Sequence, residues 1–507
     1  MAPHLTHLSA ELLHIIIDSL PNKAIKALRL TCKALCNAAQ LRLDRVFLSA
    51  NPLNVAVFRA VADSDAYRPP HRNIYNDDID EIEDPQWEDD GDHAWFIREM
   101  SWNKEGEIPF RTGVVSPGTA LEDPRLSEHL DNELSPRVCW QYYQNLLYQQ
   151  EDVIIFNKDA EALAYGLRRF PALIRITLTP AAHGGLWAPL YETPMIRAFP
   201  KGFNYPIPRG WPNGRYAGDK PSAEPWEDPD VRAKYRGFGI ITRALTEYTE
   251  HHISELVIDV NSLESGLNCR VSEEPNAEYH DFTTILKRPG FRRLDLALLV
   301  GGQEHTGWRC FHSKLLFRAL ANALDLEHMS LTTNVASDPA SDSTEKSLGG
   351  SRNQWVPLRT IFPVDSWHRL RHFGLSGFLV DKDDIIEFLS ALPALRSLLL
   401  AHLWFVDQGG CFRELLDDMR DKLDWRARDP VERPTISISV PTDYDQLGHE
   451  VWIEEAVCEF MYGDGQNPFF YSGDGSAASP YGVLRDAFLP GSEWYTRSAL
   501  RRRGLLK

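Results

Sequence analysis

The feature that most constrains this chain is a six-residue string, apolar-x-x-apolar-x-apolar, that recurs from residue 173 onward. It begins at Leu173 (LIRITL), Ile253 (ISELVI), Phe291 (FRRLDL), Leu326 (LEHMSL), Leu370 (LRHFGL) and Leu395 (LRSLLL). Most copies follow a run with helical character: Ala160 to Arg169, Gly239 to Tyr248, Lys314 to Ala323 and Asp383 to Ala391. A lone helix–strand unit cannot bury its apolar face, so such units must stack and share a core. In a strand, alternate side chains leave on opposite sides. The apolar positions of each string therefore point inward, and the intervening ones leave on the other face. Val257, Asp259, Asp295, Ala297, Ser330, Thr332, Gly374 and Ser376 hold such intervening positions. Near the end of the chain, Arg413 to Leu423 and then PTISISVP, with Ile436, Ile438 and Val440 alternating, suggest one more unit.

Helix followed by short strand resembles the leucine-rich repeat. Asn261 and Asn334 stand where that family stacks asparagines to satisfy backbone groups at strand ends; the other copies hold Ala181, Leu299, Phe378 and Leu403. The starts at 253, 291, 326, 370 and 395 lie 38, 35, 44 and 25 residues apart, against roughly 20–29 in ordinary repeats. The resemblance thus implies an α/β fold, an irregular leucine-rich-repeat-like solenoid with long loop insertions. An α/β domain whose buried strands merely share an apolar pattern is the alternative.

The first residues, LSAELLHIIIDSLP, read as a helix capped by Ser9, with Glu11 in its first turn. Leu12, Leu13, Ile15, Ile16, Ile17 and Leu20 cover nearly all of it, and Glu11, His14 and Asp18 leave one narrow polar stripe. So wide an apolar surface needs a core on one side and a partner on the other. Pro21 ends the helix. In the next stretch Ile25, Leu28, Cys32, Leu35 and Ala39 form a single apolar stripe. Lys26 and Lys33 lie on another face, flanked by Lys23 and Arg29, and suggest an acidic partner.

Leu8, Glu11, Leu12, Ile15, Ile16, Leu20, Pro21, Leu28, Arg29, Leu30, Cys32 and Lys33 together resemble the F-box, with Ser9 where that family usually has proline. The resemblance, to fungal F-box proteins, implies an all-α N-terminal module that binds the Skp-type adaptor of a cullin–RING ubiquitin ligase. It assigns Leu8, Leu12, Ile15, Ile16, Leu20, Pro21, Leu28, Arg29 and Lys33 to that adaptor. It assigns the repeat domain to a target protein, met at the concave strand positions Val257, Asp259, Asp295, Ala297, Ser330, Thr332, Gly374 and Ser376. The expected division is an F-box over 1–50, a linker region with an acidic loop around Trp87 over 51–140, the repeat domain over 141–445, and a C-terminal cap and tail over 446–507. A leucine-rich-repeat scaffold that works without an adaptor is the alternative.

The net charge of −18 over 507 residues gives no general attraction for phosphate backbones or anionic membranes, so neither nucleic acid nor membrane is an expected partner. No apolar stretch approaches the ~20 residues that span a bilayer. Seven scattered cysteines without a CxxC suggest no zinc ribbon or disulfide framework, and a cytoplasmic or nuclear protein. His368 and His372 flank the start of an expected strand, where they would not share a face as metal ligands do. The glycines at 463–465 and 473–475 lack the Lys-Ser/Thr of a phosphate loop. No catalytic residue, metal or cofactor is expected. Trp187, Trp211 and Trp226 lie in a Pro/Gly-rich excursion, Pro180 to Pro229, as core residues or interface anchors.

Overall fold

Every copy of the string enters a strand at its third residue, and all three of its apolar positions are buried. The computed structural model describes residues 8–20, 22–40, 45–64, 73–77, 124–183, 189–206, 210–212, 221–260, 263, 265–303, 305–335, 355–406, 408–441, 450–452 and 454–469. The strands up to the fourth copy are β1 (Arg45–Ser49), β2 (Asn73–Asp77), β3 (Arg175–Thr179), β4 (Glu255–Ile258), β5 (Leu267–Asn268), β6 (Arg293–Leu299) and β7 (His328–Thr333). Then come β8 (His372–Ser376), β9 (Leu379–Val380), β10 (Ser397–Ala401), β11 (Trp404–Phe405), β12 (Thr435–Pro441) and β13 (Glu450–Trp452).

Eleven of these form one sheet, in the order β1-β2-β3-β4-β6-β7-β8-β10-β12-β13, with β5 against β6. Every pairing is parallel except that of β12 with β13. β9 and β11 pair separately, also in parallel. The path ends at β1 and β13, so the sheet is not a closed barrel. The order never reverses, as it would at the switch point of a doubly wound sheet. Right-handed crossovers between strands taken in succession all fall on one face.

The helices obey that rule. Ahead of the sheet lie α1 (Ala10–Ser19), α2 (Asn22–Arg29) and α3 (Lys33–Ala38). The connecting helices are α4 (Pro52–Ala62), α5 (Pro136–Ile155), α6 (Lys158–Leu167), α7 (Arg236–Glu247), α8 (Ala277–Leu286) and α9 (Leu315–Ala321). They continue with α10 (Lys382–Ser390), α11 (Phe412–Lys422) and α12 (Glu454–Tyr462). From α6 onward each touches the next, with Leu358–Ile361 bridging α9 and α10, so they make one layer.

Between that layer and the sheet lies the core. Ile176, Leu256, Leu294, Met329, Phe373, Leu398 and Ile436 stand in register across seven strands. Leu178, Ile258, Leu296, Leu331, Leu375, Leu400 and Ile438 form a second row two residues on, and every member of both rows is at most 2% exposed. The backbone repeats too. The carbonyls of Ile174, Ser254, Arg292, Glu327 and Arg371 each accept two N–H groups from the next copy, at 2.7–3.2 Å. Asn334 acts at a strand end as its position implies: its Oδ1 accepts from the N–H of Val300 (2.7 Å) and Gly301 (3.2 Å), and its Nδ2 donates to the Pro221 carbonyl. Asn261 lies outside the described residues.

Three differences from expectation concern boundaries. The sheet begins at Arg45, inside the stretch assigned to the N-terminal module, and β2 lies in the stretch assigned to a linker. Five residues, NIYND, are too few and too polar to show an alternation. The excursion after Pro180 is built into the fold. Trp211 and Trp226 are buried, 5.2 and 5.5 Å from the ring of Tyr235, so neither is an exposed anchor. Phe203 and Tyr205 from the same excursion bury Cys139 and Tyr143 of α5 in a second, aromatic core. Trp87, Trp187, the glycines at 473–475 and the stretch after 469 lie outside the described residues.

Two stability predictions follow from these contacts. Asn334→Ala leaves two N–H groups without that acceptor and should cost about 1–3 kcal/mol in urea denaturation. His251, buried before β4, accepts from the Ile253 N–H at Nδ1 (3.0 Å), and its Nε2 lies 3.1 Å from the Leu245 carbonyl and 2.8 Å from an Arg288 guanidinium nitrogen. Burial first, and the Arg288 guanidinium second, push its pKa down to about 4. The unfolded chain takes up that proton near 6.5, so the contribution is present above ~6.5 and lost as pH falls toward 4. His251→Gln should flatten the difference in denaturation midpoint between neutral and mildly acidic buffer.

Candidate functional site

Two surfaces carry the residues singled out by sequence. On the first, α1 packs Ile17 against Ile25 of α2 and Ala39 beyond α3, with Leu13, Leu20, Leu28 and Ala38 around them. This small core is distinct from the core of the sheet. Turning Ile17 inward sends the residues two and five positions earlier outward: Leu12 is 52% and Ile15 65% exposed, with Leu8 beside the N-cap at 38%. Positions 8, 12 and 15 share one face at helical spacing. Ile16, Leu20 and Leu28 are half-buried, and Lys33 is exposed. Arg29 is turned inward. Its guanidinium donates to the carbonyls of Cys36 (2.8 Å) and Ala39 (2.5 Å), tying α2 to the end of α3. Pro21 lies outside the described residues.

The second surface is the face of the sheet opposite the helices. Strand register lines up Thr177, Val257, Asp295, Ser330, Gly374, Leu399 and Ser437 in one row, and Ala297, Thr332, Ser376, Ala401 and Ser439 in another. Seven of the eight expected target contacts therefore sit in two adjacent rows, and Asp259 follows directly after β4. They are not equally accessible. Val257 and Ala297 are buried, whereas Asp259, Ser330, Thr332 and Ser376 are half-buried. At Gly374 a Cβ would stand 2.5 Å from the Ser330 Oγ, so any side chain there would displace that hydroxyl.

Sequence reasoning missed a third row, at the third position of each string: Arg175, Glu255, Arg293, His328, His372, Ser397 and Thr435. The signal was present, since His328 and His372 hold the same place in LEHMSL and LRHFGL. Their rings stack with centroids 3.9 Å apart and planes within 9°. Asp295 lies beneath, one oxygen 2.6 Å from His328 Nε2 and the other 2.5 Å from an Arg293 nitrogen. Burial pushes the Asp295 carboxyl up, but His328 and Arg293 together outweigh it and hold the pKa well below the usual carboxylate range. Ser330 Oγ lies 3.3–3.4 Å from Nε2 of both rings, and His372 Nδ1 is 3.0 Å from Ser397 Oγ. Beside this cluster Arg175 pairs with Glu255 at 2.5 Å. Serine, histidine and aspartate meet here without forming a catalytic relay. Asp295 and Ser330 approach the same nitrogen of His328, whereas a relay needs them on opposite nitrogens.

Elsewhere, α6 and α7 border a groove of about 560 Å³ on the helical layer. His368 is exposed in the turn before β8, apart from the strand that carries His372. Among the described residues no group of His, Cys, Asp and Glu side chains is arranged to hold a metal ion, and no helix is long and apolar enough to cross a membrane. All seven cysteines are free thiols. No protein-family model matches the chain, and no curated protein matches it either.

The outward stripe of α1 can be tested apart from any partner. Leu12→Ser and Ile15→Ser should each change the hairpin's stability by no more than about 0.5 kcal/mol. Ile17→Ser, which opens its core, should cost about 3 kcal/mol. Hydrogen exchange of amides 10–38 reads both.

Proposed function

We propose that the chain is a substrate receptor of an SCF-type cullin–RING ubiquitin ligase. In this reading α1–α3 are an F-box that docks on a Skp-type adaptor, and the sheet with its helical layer is a leucine-rich-repeat-like solenoid that holds a target protein. The carrying observation is the uncovered stripe of Leu8, Leu12 and Ile15 on a hairpin that already has its own core. Large apolar side chains left in water on one helical face suit helix-in-groove recognition, where a few anchors supply most of the affinity. Leu30, in the link between α2 and α3, is a further apolar side chain left 87% exposed.

The open sheet face suits the second task. Its polar ladder, from Arg175 through the stacked histidines to Ser397, is rigidly held by neighbouring strands, and such pre-ordered surfaces bind with little loss of freedom. The receptor would contribute proximity and orientation, and the ligase's own enzymes the chemistry. Leu12, Ile15, Leu8 and Lys33 are its adaptor contacts in this account, while Arg29 supports them from within.

Affinity purification of the full chain from its native cells, read by mass spectrometry, is the test. The wild type should bring down a Skp-type adaptor and a cullin. The double variant Leu12→Asp, Ile15→Asp should lose both and keep the target. Recovery of a target alone by the wild type would favour the adaptor-independent scaffold and overturn the ligase reading.

A further inference from the structure

The helical layer holds a second concavity that neither the hairpin nor the open sheet face involves. The groove of about 560 Å³ between α6 and α7 is within the usual range for small-molecule sites. Ala160 and Ala164 line it from α6, and Gly239, Ile240 and Ala244 from α7. These positions repeat at helical spacing, so the floor runs along both helices.

Gly239 is the informative residue. Glycine inside a helix is disfavoured against alanine, and the common structural reason for it is a close neighbour. Among the described residues there is none: a Cβ at Gly239 would meet only Glu278 Cγ, at 4.0 Å. The missing side chain leaves room in the groove rather than admitting another element of the fold.

The charges at the rim are asymmetric. Arg232 pairs with Glu278 (2.5 Å), Arg236 with Asp159 (2.9 Å) and Arg243 with Glu247 (2.6 Å). Arg168, at the C-terminal end of α6, lies 5.9 Å from the ring centroid of Tyr248 and has no carboxylate partner among the described residues. One end of an apolar trough therefore carries a guanidinium that is free to take an anion.

We propose that this groove binds a small amphipathic monocarboxylate, its apolar tail along Ala160, Ala164, Gly239 and Ile240 and its carboxylate on Arg168. A guanidinium offers paired N–H donors that match a carboxylate, and a flexible tail suits a floor made of alanine and glycine.

The test uses the full chain with dodecanoate as probe, followed through the methyl resonances of Ala160, Ala164 and Ile240. Dodecanoate should shift them saturably, and dodecyltrimethylammonium, with the same tail and opposite charge, should bind at least about tenfold more weakly. Arg168→Glu should weaken dodecanoate by about tenfold or more. Gly239→Leu should fill the groove and abolish binding while raising the melting temperature, which separates occlusion from unfolding. Methyl groups that do not respond to dodecanoate, or binding that persists in folded Gly239→Leu, would overturn the proposal. Neither outcome bears on adaptor or target binding, which involve other surfaces.

Discussion

The structure depends on a register-locked parallel ladder. Each strand places its apolar positions beside those of the strands before and after it, so rows such as Ile176–Leu256–Leu294–Met329–Phe373–Leu398–Ile436 are continuous. A slip of one residue in any strand would turn its buried set toward the open face. The doubly accepting carbonyls ahead of the strands hold this register from the backbone side, because each fixes the entry of the next copy. Asn334 does the same at a strand exit. Insertions between units are tolerated because they enter loops and helices and leave the ladder untouched.

The same ladder determines the opposite face. Register brings Arg293, Asp295, His328, Ser330, His372 and Ser397 together from four strands, although they span more than a hundred residues of chain. Parallel pairing repeats one offset from string to string, so similar residues at one position become neighbours. Two histidines at the third position thus stack, and one buried carboxylate serves an arginine and an imidazole together.

Burial is uneven on both proposed surfaces. In α1 nearly every non-polar side chain had equal claim to an interface, and the packing of Ile17 decides which ones remain outside. Arg29 shows the converse, a cation that spends its donors on the carbonyls of its own module. On the helical layer Gly239 and Arg168 are unremarkable residues by type. Only the lack, among the described residues, of a neighbour at one and of a carboxylate at the other gives them meaning.

Local pattern determined what short-range physics can determine. The helix-then-strand units, the burial of the first, fourth and sixth positions of each string and the apolar breadth of α1 were all legible, because periodicity and side-chain volume are properties of a few adjacent residues. Tertiary structure alone decided that β1 and β2 join the sheet, that Trp211 and Trp226 of the Pro/Gly-rich excursion are buried, and that His328 meets His372. Each of these is a choice among distant segments competing for the same apolar or polar neighbours. No window of contiguous sequence contains the energy of that choice.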